Sequence, residues 1–153
     1  METTEGVKLN LLHSTKTAMS SIFTKVVSSG LELELQNIAS TYKFAPEIYE
    51  IEGETVHMKK IDGLCLADLY TDDPTMVPDW IWKEIQRILT VLYEREGIEY
   101  IDITGYNFVQ ETGTNKIWII DFGDAYYTNP DKPVNWFLQE VLDGGKGWNP
   151  DFA

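Results

Sequence analysis

The stretch YIDITGYNFVQETGTNKIWIIDFG, residues 100–123, places three polar side chains at the ends of strand-like apolar runs. The three are Asp102, Asn107 and Asp121. The runs NFVQE and KIWII flank a TGTN turn, which predicts an antiparallel hairpin. If residues 107–111 pair with residues 117–121, Asn107 and Asp121 lie opposite each other at one end of the hairpin. The loop that carries Asp102 leads into the same end. We therefore expect three oxygen-bearing side chains in one small volume.

These three residues have two interpretations. In the first they have only a local structural role: Asp102 caps a turn, Asn107 belongs to a turn and Asp121 ends a strand. In the second they form a metal site, because Mg²⁺ prefers oxygen ligands and uses one or two carboxylates plus phosphate oxygens. A D-x-x-x-x-N spacing is common by chance, whereas its combination with a hairpin and a downstream IIDFG is much rarer. The combination favours a metal–nucleotide site.

This combination resembles the catalytic core of protein kinases, which joins D-x-x-x-x-N (here 102–107) to D-F-G (here 121–123). The loop DITGYN is more similar to the D-L-S-x-Y-N loop of the small atypical RIO kinases than to the D-L-K-P-E-N loop of large kinases. Tyr100 and Ile101 stand where most members have His and Arg. Without that His and Arg, Ile101 is expected to fill the space in the core.

The resemblance implies an α+β, protein kinase-like fold, with a small N-lobe sheet, one N-lobe helix and a truncated, mostly helical C-lobe. It implies a single minimal domain over residues 1–153, with an N-lobe at 1–60, a hinge at 61–66 and a C-lobe at 67–153. A kinase-like domain of this size is similar to those carried by large viruses and phages, which makes a viral protein one expectation.

The resemblance also implies roles for individual residues within the stretch 100–123. Asp102 would position an acceptor hydroxyl and take its proton. Asn107 and Asp121 would hold Mg²⁺ on the phosphates of ATP. Thr104 would contact the γ-phosphate. The cofactors implied are therefore ATP and Mg²⁺.

Upstream, the resemblance implies a lysine that neutralises the α- and β-phosphates and a helix glutamate that orients it. The strand SIFTKVV supplies Lys25, and LELELQ supplies Glu32 or Glu34. Glu32 is preferred because it leaves Leu35 facing inward one turn later. Charged residues of this kind also occur as plain surface groups, which is the alternative for this pair.

The segment FAPEIYEIEGETVHMKKIDGLCLADLY resembles the strand–hinge–helix part of small kinase-like folds. Met58 would then screen the back of the adenine pocket. Backbone groups of Lys59 and Ile61 would face the edge of the adenine.

The main departure from the kinase pattern is the missing glycine-rich phosphate loop. LLHSTKTAMSSIF, residues 11–23, stands in its place without a glycine, although close approach of the backbone to phosphate usually needs one. Ser14, Thr15 and Ser20 would either contact phosphate through their hydroxyls or serve as plain turn residues.

Periodicity predicts the remaining elements. These are strands at 6–12 and 21–27, a helix at 31–42, a hairpin around Glu52–Glu54, a short helix in LCLADLY, a long helix at 79–96 and a last helix at 134–142. The tail GGKGWNPDFA is expected to fray. The aromatic residues Trp136, Phe137, Trp148 and Phe152 would either form an exposed protein contact or fold back over the lower lobe.

Composition limits the class of protein. The 153 residues suit one domain, and 43% apolar residues argue against global disorder. The net charge of −13 argues against nucleic acid and membranes as partners, since both need basic patches. No apolar run approaches the roughly 20 residues of a membrane span. Cys65 is the single cysteine, which fits a reducing, cytoplasmic location, or the host cytoplasm for a viral protein.

Two functions follow from the sequence. The first is an ATP- and Mg²⁺-dependent phosphotransferase that transfers the γ-phosphate to a hydroxyl of an unknown protein or small molecule. The alternative is a pseudokinase, a nucleotide-binding or scaffold module that acts through a protein partner. The joint presence of Asp102, Asn107 and Asp121 favours the first, and the absent glycine-rich loop favours the second.

Overall fold

The computed structural model describes residues 21–152. The predicted strand at 6–12 and the residues Ser14, Thr15 and Ser20 lie outside this range. The elements in chain order are β1 (Ile22–Val26), α1 (Gly30–Thr41), β2 (Ile48–Glu52), β3 (Thr55–Lys59), β4 (Gly63–Cys65), α2 (Leu66–Leu69), a 3₁₀ turn (Pro74–Met76), α3 (Asp79–Glu96), β5 (Ile98–Glu99), β6 (Phe108–Glu111), β7 (Ile117–Ile119), β8 (Tyr126–Tyr127) and α4 (Trp136–Leu142).

The first sheet is antiparallel, with the strand order β1-β3-β2. A tight turn at Gly53, which has a φ of +63°, joins β2 to β3. Alternation along β3 buries Val56 and Met58 on one face. The register pairs Lys25 with Val56 and Phe23 with Met58, so the side chains of Phe23 and Lys25 lie on that same face.

Helix α1 begins at a side-chain cap, because the Ser29 hydroxyl accepts the N–H of Glu32 at 3.3 Å. The alternating pattern LELELQ is compatible with a strand, but the cap and the helix-forming residues favour the helix. Leu35 and Ala39 are fully buried in the main core. Leu33 instead packs against the small cluster around Met58, so α1 contacts both parts of the molecule.

The second sheet has the strand order β4-β6-β7. The chain crosses from the first sheet to the second between Lys59 and Gly63, a span that overlaps only the start of the predicted hinge at 61–66. Two backbone hydrogen bonds, one of them to a residue of this crossing, join the β6–β7 hairpin to earlier parts of the chain. The N–H of Thr112 donates to the carbonyl of Asp62, and the N–H of Ile119 donates to the carbonyl of Phe44, each at 2.8 Å.

Helix α3 has the bounds predicted from the sequence, 79–96, and contributes one apolar stripe to the core. Six residues of this stripe are buried: Ile81, Trp82, Ile85, Ile88, Leu89 and Leu92. Gly97 ends the helix in the left-handed conformation, with a φ of +66°. None of the helices within residues 21–152 is both long and apolar enough to cross a membrane.

The C-terminal segment is packed rather than frayed, so this expectation was wrong. Asn149 is fully buried, and the ring of Trp148 lies 5.0 Å from that of Trp82. Phe137 is also buried, whereas Trp136 and Phe152 are 51% and 37% exposed. Phe137 and Trp148 therefore fold back onto the core and hold the segment in place, whereas Trp136 and Phe152 remain exposed.

Helix α4 begins two residues later than predicted, at Trp136 instead of residue 134. The reason is local. The side chain of Asn135 accepts the N–H groups of Phe137 and Leu138, at 3.0 and 3.1 Å, and so caps the helix.

We expect Leu92→Ala to lower the free energy of unfolding by about 2–5 kcal/mol, because it leaves a cavity in the main core. Glu94→Ala, at an exposed position of the same helix, is the control and should change it by less than about 0.5 kcal/mol. Urea unfolding followed by circular dichroism measures both. Equal effects of the two substitutions would show that α3 does not organise the core.

Candidate active site

The loop that carries Asp102 is a series of tight turns closed by Asn107. The backbone N–H of Thr104 donates to the Asp102 carbonyl at 3.1 Å, and the N–H of Asn107 donates to the Thr104 carbonyl at 3.2 Å. The side-chain Nδ2 of Asn107 also donates to the Asp102 carbonyl, at 3.0 Å. With Nδ2 directed inward, the side-chain oxygen of Asn107 is left for another partner.

Asp121 follows β7 and meets this loop, although the pairing differs by one residue from the prediction. Phe108 pairs with Ile119, and the N–H of Ile120 donates to the Asn107 carbonyl at 3.0 Å. Asn107 therefore lies opposite Ile120, not opposite Asp121. The predicted register assumed that the two strands start and end together, whereas the turn adds a one-residue offset.

The carboxylate of Asp121 folds over the residues that follow it. Its Oδ1 accepts the N–H of Gly123 at 2.8 Å. A Cβ at Gly123 would lie 3.1 Å from that oxygen and 3.5 Å from Oε1 of Glu32. Glycine thus allows this turn to approach two carboxylates at once.

Helix α1 directs Glu32 toward Lys25. The Lys25 Nζ lies 3.1 Å from Oε2 of Glu32, and their side chains are 21% and 13% exposed. Glu34, the alternative partner for Lys25, points elsewhere and accepts a hydrogen bond from the hydroxyl of Tyr127. The two glutamates lie two positions apart on a helix, so they face different directions and only Glu32 contacts Lys25.

A cleft of about 320 Å³ opens beside this ion pair. It is lined by Phe23, Lys25, Pro46, Met58, Lys59, Lys60, Ile61, Val109 and Ile120. The three residues predicted to border a nucleotide base, Met58, Lys59 and Ile61, all line it. The lining is mostly apolar but includes three lysines, Lys25, Lys59 and Lys60, which suits a ligand with an apolar part and an anionic part.

The carboxylates of Asp102, Asp121 and Asp124 lie near one another, where the loop of Asp102 meets the turn after β7. Burial raises the pKa of the Asp102 carboxyl above its ordinary value; a hydrogen bond from Asn107 opposes this rise, and the negative charges of Asp124 and Asp121 add to it. A carboxyl that holds its proton more tightly is a better proton acceptor near neutral pH once ionised. The mutual repulsion of these groups favours a bound cation.

The chemistry of these donors fits a magnesium ion. Asp121 offers a carboxylate and Asn107 an amide oxygen, and both are hard oxygen ligands. Asp102 and Asp124 add negative charge around them. Of the residues at this site, Asn107 and Asp121 are the ones that could hold the ion.

A family model of the RIO domain matches residues 8–141 of the chain. The chain belongs to the RIO family. The resemblance seen in the sequence is confirmed.

Two individual proteins are similar to this RIO domain. One is the probable serine/threonine-protein kinase BUD32 homolog of Archaeoglobus fulgidus, which is 28% identical over 89 residues, or 58% of this chain and 40% of that protein. The chain thus spans less than half the length of this curated relative. The other is the Cydia pomonella granulovirus kinase PK-1, whose solved structure has a TM-score of 0.58 at 9% identity, over 82% of this chain and 59% of that one. The likeness confirms the predicted α+β, protein kinase-like fold.

Tyr100 holds the two site loops of the RIO domain together, a role that the sequence did not predict. Its hydroxyl donates to the Asp121 carbonyl at 2.6 Å. Its ring packs edge-on against Phe108 and Phe122, at 6.1 and 5.3 Å between centroids. Tyr100, and not Ile101 as expected, therefore fills the core, because Ile101 is only half-buried.

Sequence reasoning also missed Asp124 and Asn149. Asp124 directly follows the D-F-G triplet, and this adjacency was the available signal. Asn149 had no local signal, because its contacts with residues 101 and 103 exist only after the chain has folded. Thr104 is 6% exposed, and a contact of its hydroxyl with the γ-phosphate stays a prediction.

We expect Tyr100→Phe to lower the free energy of unfolding by about 1–2 kcal/mol, because the partly buried Asp121 carbonyl loses its donor while the ring packing remains. Burial keeps the pKa of Tyr100 well above its usual value, so the hydroxyl acts as a donor at all moderate pH values. Tyr49→Phe, at a half-exposed tyrosine of β2, is the control and should change stability little. A result for Tyr100→Phe no larger than for this control would argue against the bond.

Proposed function

We propose that this RIO domain is an ATP- and Mg²⁺-dependent phosphotransferase that transfers the γ-phosphate of ATP to a hydroxyl group. One juxtaposition carries the proposal. The cleft is lined by Lys25 at one side and by Ile120 at another, Lys25 is paired with Glu32, and Ile120 directly precedes Asp121. An apolar cleft thus opens next to a partly buried cation and next to the candidate oxygen ligands.

In this proposal the adenine lies in the apolar part of the cleft. Met58 is 2% exposed and closes its back, and Val109 lines it from the second sheet. The N–H of Lys59 already donates to the Glu47 carbonyl at 2.9 Å. The carbonyl of Lys59 and the backbone of Ile61 are therefore assigned to the polar edge of the base.

The phosphates are assigned to the charged end. Lys25 neutralises the α- and β-phosphates, and its ion pair with Glu32 keeps its long side chain extended toward them. Because this pair is mostly buried, its charges interact more strongly than they would on the surface. Asn107 and Asp121 hold Mg²⁺, which supplies positive charge against the phosphate oxygens.

Asp102 is assigned as the base. It orients the acceptor hydroxyl and takes its proton as the acceptor oxygen forms a bond to the γ-phosphorus. The bond from that phosphorus to the bridging oxygen breaks, and ADP leaves with the electron pair. Catalysis of this kind depends on positioning and on charge neutralisation.

The acceptor is proposed to be a hydroxyl of a protein or small molecule. Nucleic acid and membranes are not proposed as partners, because of the net charge of −13. A cytoplasmic location remains a proposal based on the single cysteine.

The first test is calorimetric titration with ATP, with and without Mg²⁺. We expect binding that requires Mg²⁺, and we expect Asp121→Asn to weaken it by about tenfold or more, equivalent to about 1.4 kcal/mol. Asp131→Asn, in an exposed loop, is the matched control and should bind like the wild type. If the wild type binds no ATP under either condition, the nucleotide site is refuted and the scaffold alternative replaces it.

The second test separates chemistry from binding. Asp102→Asn should reduce turnover by roughly 100- to 10,000-fold, the usual contribution of a general base, and leave the Mg·ATP affinity within about twofold. Phosphate release from ATP, or labelling of a generic acceptor such as casein, provides the measurement. Unchanged turnover in this variant would disprove the assignment of Asp102 as the base.

A further inference from the structure

Asn149 is a fully buried polar residue in the segment that follows α4. Burial of an amide side chain is costly unless its polar atoms are hydrogen-bonded. Three bonds satisfy this residue. Its Nδ2 donates to the Ile101 carbonyl at 2.8 Å, its backbone N–H donates to the Ile103 carbonyl at 2.8 Å, and its Oδ1 accepts the N–H of Asp151 at 3.0 Å.

These bonds hold the backbone on both sides of Asp102. The carbonyls of Ile101 and Ile103 belong to the residues immediately before and after it, and both bonds come from the same residue. The turn bonds within the loop, such as that from the Thr104 N–H to the Asp102 carbonyl, fix its internal shape. The bonds from Asn149 instead fix the place of the loop relative to another part of the protein.

The segment with Asn149 is itself attached to α3 at three points. Trp148 packs on Trp82, with 5.0 Å between ring centroids. The Nζ of Lys146 lies 2.5 Å from Oδ1 of Asp79, and Nε2 of Gln86 donates to the Gly145 carbonyl at 3.1 Å. A rigid path of contacts therefore runs from the main core through this segment to the backbone beside Asp102.

We infer that Asn149 is a positioning residue for Asp102, an inference that rests on the proposed phosphotransferase function. The distance from a base to the proton it accepts must be kept within a hydrogen bond, and a displacement of 1 Å can cost about 100-fold in rate. Asn149 is not among the residues that line the cleft, and its bonds to the loop go to backbone carbonyls, so it acts through the loop backbone. Asn149 also stabilises the fold, and the test must separate these two effects.

The test compares the turnover of Asn149→Ala with two control variants in the full chain. Asn149→Ala removes the side-chain bonds to Ile101 and Asp151 and keeps the backbone bond to Ile103. Leu92→Ala destabilises the main core, and Glu140→Ala replaces an exposed side chain of α4. We expect kcat of Asn149→Ala to fall by at least about tenfold, with KM for ATP within about twofold, and kcat of both controls to stay within about twofold.

A kcat of Asn149→Ala within twofold of the wild type overturns the inference. So does an equal loss of kcat in Leu92→Ala, because it would attribute the effect to stability. If Asn149→Ala does not fold, Asn149→Ser replaces it under the same criteria, since serine lacks the amide that donates to the Ile101 carbonyl but keeps a small polar side chain.

Amide hydrogen exchange without nucleotide tests the same inference independently of activity. We expect the N–H of Thr104 to exchange at least about tenfold faster in Asn149→Ala than in the wild type, while the N–H groups of β6 and β7 change less. Unchanged exchange overturns the inference. If the wild type neither binds nor turns over ATP, the proposed function fails, and the exchange result still decides whether Asn149 positions the loop.

Discussion

The arrangement of this site depends on one hydrogen bond inside an aromatic cluster, from the Tyr100 hydroxyl to the Asp121 carbonyl. Asp102 and Asp121 are on separate loops, and repulsion between their carboxylates would drive these loops apart. The bond joins the start of one loop to the end of β7, and Phe108 and Phe122 pack edge-on against the ring of Tyr100. Tyr100 is buried and the bond is partly buried, so its loss would leave the Asp121 carbonyl without its donor, which makes the separated state costly.

The other parts of the site are arranged around this hydrogen bond between Tyr100 and Asp121. Helix α1 contacts both halves of the molecule, since Leu35 packs in the main core while Glu32 contacts Lys25 of the first sheet. Gly123 lies between the carboxylates of Asp121 and Glu32, so the position of α1 and that of the turn after β7 depend on each other. From the opposite side, Asn149 holds the backbone beside Asp102. The candidate base, metal ligands and cation are thus fixed by elements that are far apart in sequence.

Much of the fold was predictable from local pattern. The long helix at 79–96 and the hairpin around Glu52–Glu54 each have a signal within a few residues, and each forms as predicted. Membership of the RIO family followed from the short motifs at 102–107 and 121–123. The errors arose where several elements combine. The hairpin register moved by one residue at Ile120, and the C-terminal segment, polar and rich in glycine, proved to be anchored.

The sequence by itself determined which oxygen-bearing residues exist at which spacing, and so the family and the candidates for base and metal ligands. Spacing decides which side chains a single loop can present, because the backbone has few allowed conformations. Only the tertiary structure decided that Lys25 pairs with Glu32 and not Glu34, that Tyr100 fills the core, and that Asn149 reaches the loop of Asp102. These contacts join residues distant along the chain, and they depend on how the helices and sheets pack, which no local pattern specifies.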